Sequence, residues 1–212
     1  MTSFAELSAE EQARQLRDPD GETGMATADA LAAVNRAGNV FLITSLGLAP
    51  SDVVLEVGCG LATMAADVVA AADGIEYVGL DRSATMIEAA RERHCDLIGA
   101  GRASFHLAST ERVPFPDGRF SKVFSAGVIH FWPDPATPLA ELRRVMQPGG
   151  IMSMGCLSAE GAPPFAREKF GFHLRAPDEW VALARHAGFD APDARVLGAS
   201  GGPQMIHLLA HT

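Results

Sequence analysis

Apolar positions fall into short runs separated by glycine, proline and acidic residues. Four of the five residues from Val53 to Val57 are apolar and three are β-branched, which predicts a strand buried on both faces. Similar runs predict strands at Ile75–Leu80, about 103–108, Phe120–Ser125 and Ile151–Leu157, with a closing hairpin at about 193–198 and 204–210. Between them the pattern becomes helical: Ala62–Ala72, 84–95 with Ser83 as N-cap, 136–146, and Pro177–His186 with Gly188 as its stop. Before the first strand, 4–17 reads as one amphipathic helix. A break rich in proline and glycine follows at 18–24, then a second helix at about 27–46. Alternating strands and helices predict an α/β fold, a doubly wound and mostly parallel seven-stranded sheet with an antiparallel edge hairpin. The expected layout is a single domain over 1–212. It divides into an N-terminal helical lid (1–48), a ligand-binding core (49–157), an insertion (158–176), and a C-terminal helix and hairpin (177–212).

The turn after the first strand narrows the ligand. Glu56-x-Gly58-x-Gly60 closes the strand and opens a helix, which brings backbone N–H groups up to a small molecule. A dinucleotide fingerprint needs a third glycine where Thr63 stands, and a phosphate-binding loop needs a lysine that the turn lacks. A carboxylate at the strand end repels a pyrophosphate and suits an ammonium group. The second strand ends at Asp81, placed to accept two hydrogen bonds from ribose hydroxyls. An ammonium group plus a nucleoside without phosphate describes S-adenosylmethionine. In an open α/β sheet the ligand lies beyond the carboxyl ends of the strands, so Ser125, Ala126 and Gly127 are expected to face a transferring methyl. His130 is a candidate general base, with capping or packing as its plainer role. Trp132 is a candidate substrate wall or cation–π partner. His173 and the basic residues Arg167, Lys169 and Arg175 are candidate contacts to an acceptor, or simply parts of a solvated loop.

Further landmarks share this order. Val113-Pro114-Phe115-Pro116-Asp117-Gly118 precedes the fourth strand, His130-Phe131-Trp132-Pro133-Asp134-Pro135 follows it, and Gln147-Pro148-Gly149-Gly150 and Ala187-Gly188-Phe189 come later. With the glycine turn, these stretches resemble the class I S-adenosylmethionine-dependent methyltransferases, small-molecule type, from about residue 50 to residue 189. The resemblance implies methyl transfer by in-line displacement onto a small acceptor, with S-adenosylhomocysteine as product. It implies a cofactor held by Glu56, Gly58, Cys59, Gly60, Asp81, Arg82, Met86, Ser109, Thr110, Ser125, Ala126 and Gly127, and no metal. Two positions depart from the family pattern. Ser109 stands where relatives often place an acidic residue on the adenine amino group, and Ala62 stands where they often have glycine. Alanine there is tolerable if the residue already has helical angles, as the helix expected from Ala62 gives it.

A net charge of −9 makes nucleic acid and anionic membranes poor partners. No apolar run is long enough for a membrane span, and the first residues lack a secretory pattern. The three scattered cysteines suit reduced thiols in a cytoplasmic protein. Rival readings are an S-adenosylmethionine-binding protein without catalysis and, against Thr63 and Glu56, a nicotinamide oxidoreductase.

Overall fold

The computed structural model describes residues 4–167, 170–198 and 204–212. Seven strands form one sheet: β1 (Val53–Val57), β2 (Glu76–Asp81), β3 (Ala103–Leu107), β4 (Phe120–Ala126), β5 (Met146–Leu157), β6 (Asp190–Leu197) and β7 (Met205–His211). Their order is β3-β2-β1-β4-β5-β7-β6. Strands β1 to β5 pair in parallel, and β7 runs antiparallel to both β5 and β6. The strand order reverses at β1/β4, so a crevice opens beyond the carboxyl ends of these two strands.

Helices cover both faces. The helices are α1 (Ala9–Arg17), α2 (Gly21–Thr44), α3 (Ala65–Ala70), α4 (Ala84–Arg93), α5 (Cys95–Gly99), α6 (Ala136–Val145), α7 (Pro164–Arg167) and α8 (Pro177–His186). Alternation along β1 separates two cores. Leu55 and Val57 join Leu139, Leu142, Trp180 and Ala184 of α6 and α8, while Val54 joins Leu46, Val68, Ile87 and Phe124 on the side of α2, α3 and α4. A third, smaller cluster (Ala13, Ala162, Ala166 and Phe172) ties α1 to the insertion.

Several boundaries differ from the sequence expectation. The first helix is interrupted: Phe4–Glu6 is a 3₁₀ turn, and Ser8 starts α1 anew by accepting the Glu11 N–H at 3.2 Å. The break before α2 is only Asp18–Asp20. Gly24 lies inside α2, where a side chain would meet the Pro19 carbonyl carbon at 2.8 Å, so this glycine serves close packing and not a joint. The segment 1–48 is not wholly a lid either. Leu42 and Leu46 are fully buried, and α2 packs on β4 and β5 as part of the domain wall. After β1, helix α3 starts at Ala65 instead of Ala62. Ala62 has φ of 51°, the left-handed region, not the helical angles expected of it. Strand β5 begins at Met146 and carries a register shift opposite Phe120–Lys122, which absorbs Pro148 and Gly149.

Candidate functional site

The carboxyl ends of β1 and β2 are locked to each other. The Leu80 carbonyl accepts the N–H groups of Gly58 (2.7 Å) and Cys59 (3.1 Å), and Asp81 Oδ2 accepts the Gly60 N–H at 2.8 Å. Asp81 Oδ1 accepts the Ser83 N–H at 2.9 Å. The Ala108 N–H donates to the Asp81 carbonyl at 2.9 Å, which pins the end of β3 and the following Ser109 and Thr110 to the same edge. Gly58 has φ of 67° and Gly60 of 50°, angles that favour glycine at both. A side chain at Gly58 would meet Val128 Cγ2 at 2.2 Å, showing how closely the loops after β1 and β4 approach in the crevice.

This edge concentrates acidity. Glu56 is buried and accepts a short hydrogen bond from the Tyr77 hydroxyl. Burial pushes its carboxyl up to about 8; the Tyr77 hydrogen bond opposes the rise and the neighbouring Asp81 charge adds to it. Burial also raises Asp81, against the pull of the N–H groups of Ser83, Gly60 and Arg82. The Cys59 thiol is raised well above its ordinary value by burial and by the two carboxyl groups, so it is inert as a nucleophile. A buried carboxyl beside a second acid is a site that a cation would relieve. The Asp81 oxygens, which accept the Gly60 and Ser83 N–H groups, keep lone-pair capacity for ribose hydroxyls. On both counts the residues fit the ammonium and ribose of S-adenosylmethionine.

The N-terminal segment reaches this edge. Ser83 Oγ donates to the Pro19 carbonyl at 2.8 Å, Thr85 Oγ1 to Asp20 Oδ1 at 3.1 Å, and Arg82 lies 3.9 Å from the Asp18 carboxylate. Met86 is fully buried, and its N–H donates to Ser83 Oγ. Ser109 is exposed, and its hydroxyl accepts the Glu111 N–H at 3.2 Å.

Three expected residues take other places. Ser125 is fully buried, and its hydroxyl donates to the Val57 carbonyl at 2.8 Å, joining β1 to β4 instead of facing a methyl group. Ala126 is half-buried and Gly127 exposed at the strand end. His130 is buried rather than poised as a base. Its ring stacks on Phe172 at 5.4 Å with an interplanar angle of 7°, and Nδ1 accepts the Leu157 N–H at 3.4 Å. Burial lowers it to about 3, which makes it a poor proton acceptor near neutrality. Trp132 packs in the core beneath α6. The cation–π contact is instead Arg175 over Trp180, and Arg175 also donates to the Trp132 and Pro133 carbonyls. Lys169 lies outside the described residues.

Sequence reasoning missed Tyr77 and Val128. Tyr77 had a readable signal. It pairs with Val54, and two-residue alternation puts Val54 and Glu56 on one face, so the single tyrosine of the chain falls beside the acidic strand end. Val128 had none, because its role exists only through contact with a loop distant in sequence.

Comparison with known proteins agrees with this geometry. Residues 55–154 match the methyltransferase domain family. The O-methyltransferase resE of Aspergillus sclerotiorum is 28% identical over 143 residues, covering 64% of this chain and 54% of that protein. The demethylmenaquinone methyltransferase of Beutenbergia cavernae is 33% identical over 134 residues, covering 63% and 52%. The chain thus spans about half the length of these curated relatives. A crystal structure of an S-adenosylmethionine-dependent methyltransferase from Aquifex aeolicus superposes with a TM-score of 0.65 at 18% identity, covering 95% of this chain and 97% of that one; at this identity the likeness concerns the fold.

Proposed function

We propose that this chain, which matches the methyltransferase domain family over residues 55–154, is a class I S-adenosylmethionine-dependent methyltransferase that transfers a methyl group from S-adenosylmethionine to a small-molecule acceptor. The observation that carries this reading is the locked edge: Gly60 N–H on Asp81, with Glu56 buried beside it. When bound, the cofactor supplies a methyl group already activated on a sulfonium. Asp81 then orients the ribose, and Glu56 offsets the positive charge. Ser109 and Thr110 border the adenine. Residues 18–20, resting on Ser83 and Thr85, act as a lid that excludes water. The acceptor enters from the ends of β4 and β5, under the roof formed by α1 and the insertion. His130 supports that roof by stacking on Phe172. Relatives named for quinone and O-methylation support a small-molecule acceptor. Thermal-shift titration tests the reading against a nicotinamide enzyme. S-adenosylhomocysteine is expected to raise the melting temperature, with NADH leaving it unchanged; stabilisation by NADH alone would overturn it.

A further inference from the structure

Beyond the ends of β4 and β5 lies a cavity of about 490 Å³, lined by Ala159, Ala166, Arg167, Phe172, His173 and Leu174. Its place follows from the topology. Ala159 comes two residues after β5, and the His173 N–H donates to the His130 carbonyl at 2.7 Å, tying the cavity wall to the turn after β4. The volume lies in the range of small-molecule sites, and four of the six lining residues are apolar.

The polar end of the cavity has one electrostatic character. Arg167 Nε donates to the Ala162 carbonyl at 3.1 Å and Nη2 to the Glu160 carbonyl at 2.7 Å. These bonds fix the guanidinium at the wall, and among the described residues its other three donors are not engaged. Burial, and then the charge of Arg175, lower His173, which disfavours its protonated form. The same Arg175 is held on the Trp132, Pro133 and His173 carbonyls, behind the wall. No carboxylate is among the described lining residues. An ammonium-bearing acceptor finds no anionic partner among them, and the Arg167 charge repels it. A flat apolar body packs against Ala166, Leu174 and the part of the Phe172 ring that lines the cavity, and an anionic oxygen gains a fixed guanidinium beside an imidazole.

We infer that this cavity selects an aromatic acceptor carrying an acidic oxygen, a phenol or aromatic carboxylate, with that oxygen directed at Arg167 and His173. The inference rests on the methyl-transfer reading above and names its substrate class.

The test measures binding by calorimetry with S-adenosylhomocysteine present, using 1-hydroxy-2-naphthoate and 1-naphthylmethylamine as probes. The naphthoate is expected to bind at least tenfold more tightly. Arg167→Gln should erase that preference. Ala159→Trp, at an exposed position, should block both probes while leaving S-adenosylhomocysteine affinity unchanged. Equal or tighter binding of the amine by the unsubstituted protein, or no binding of the naphthoate, overturns the inference even if Arg167→Gln fails to fold. So does a preference that survives Arg167→Gln in a folded variant. Failure of S-adenosylhomocysteine to bind would instead remove the methyl-transfer reading, and this inference with it.

Discussion

The edge at β1 and β2 and the roof of α1 and the insertion are held together by different forces. At the edge, backbone N–H groups meet carbonyls and a buried carboxylate, and glycines at positive φ set the path. At the roof, a small apolar cluster around Ala13, Ala166 and Phe172 joins elements far apart in sequence. The edge tolerates few residue types, because its geometry is made of backbone. Almost any apolar set of matching volume would hold the roof. Such a division suits an enzyme that binds one fixed cofactor and adapts its acceptor site by side-chain changes.

Substituting a glycine in each region separates the two most sharply. Gly58→Ala places a methyl group against Val128 at positive φ, and a loss of about 3 kcal/mol is expected in denaturant unfolding. Gly171→Ala in the roof meets the end of the flexible Arg17 side chain, so about half that loss is expected. Equal losses would erase the distinction.

The lid comes next in size. Removing residues 1–20 takes away the Pro19 and Asp20 contacts to Ser83 and Thr85. S-adenosylhomocysteine affinity should fall about tenfold, or about 1.4 kcal/mol, while the sheet stays folded. Unchanged affinity with much earlier melting would make the segment purely structural.

Glu56 links the edge to pH. Its carboxyl is raised from 4.5 to about 8, so the unliganded fold carries an extra proton between those values. The resulting stability is present at low pH and is lost as pH rises through that window. Binding an ammonium group favours the carboxylate, so cofactor affinity should rise from pH 6 towards 8, by up to about tenfold per unit, with proton uptake by the buffer. Calorimetry in two buffers of different ionisation enthalpy reads that proton, and a pH-independent affinity would exclude Glu56 from the site. The smallest effect is expected at Ala62. With φ of 51° and its methyl group fully buried, replacement by glycine trades relief of strain against lost packing, so stability should change by less than about 1 kcal/mol in denaturant unfolding, and a larger loss would show that the alanine is not strained.

The same division explains what could be read in advance. The strands, their mostly parallel order and the Glu56–Gly60 turn follow from local patterns: buried strands are apolar throughout, and tight turns demand glycine. Asp81 was legible because it ends a strand one βαβ unit after that turn. His130 was not, because its burial comes from Phe172 in the insertion. Ser125 misled because a hydroxyl at a strand end has the same pattern whether it faces a ligand or the Val57 carbonyl. Ala62 carries no sign of its φ, since alanine is common at helix starts.

The central claim is that the locked edge seats S-adenosylmethionine, and it is tested most directly at Asp81. Calorimetric titration of S-adenosylhomocysteine into Asp81→Ala should show affinity lowered by at least a hundredfold, since two charge-assisted hydrogen bonds of about 1.5–3 kcal/mol each are lost. Circular dichroism should show the sheet retained. A folded Asp81→Ala protein that binds S-adenosylhomocysteine as tightly as the unsubstituted chain would contradict the account.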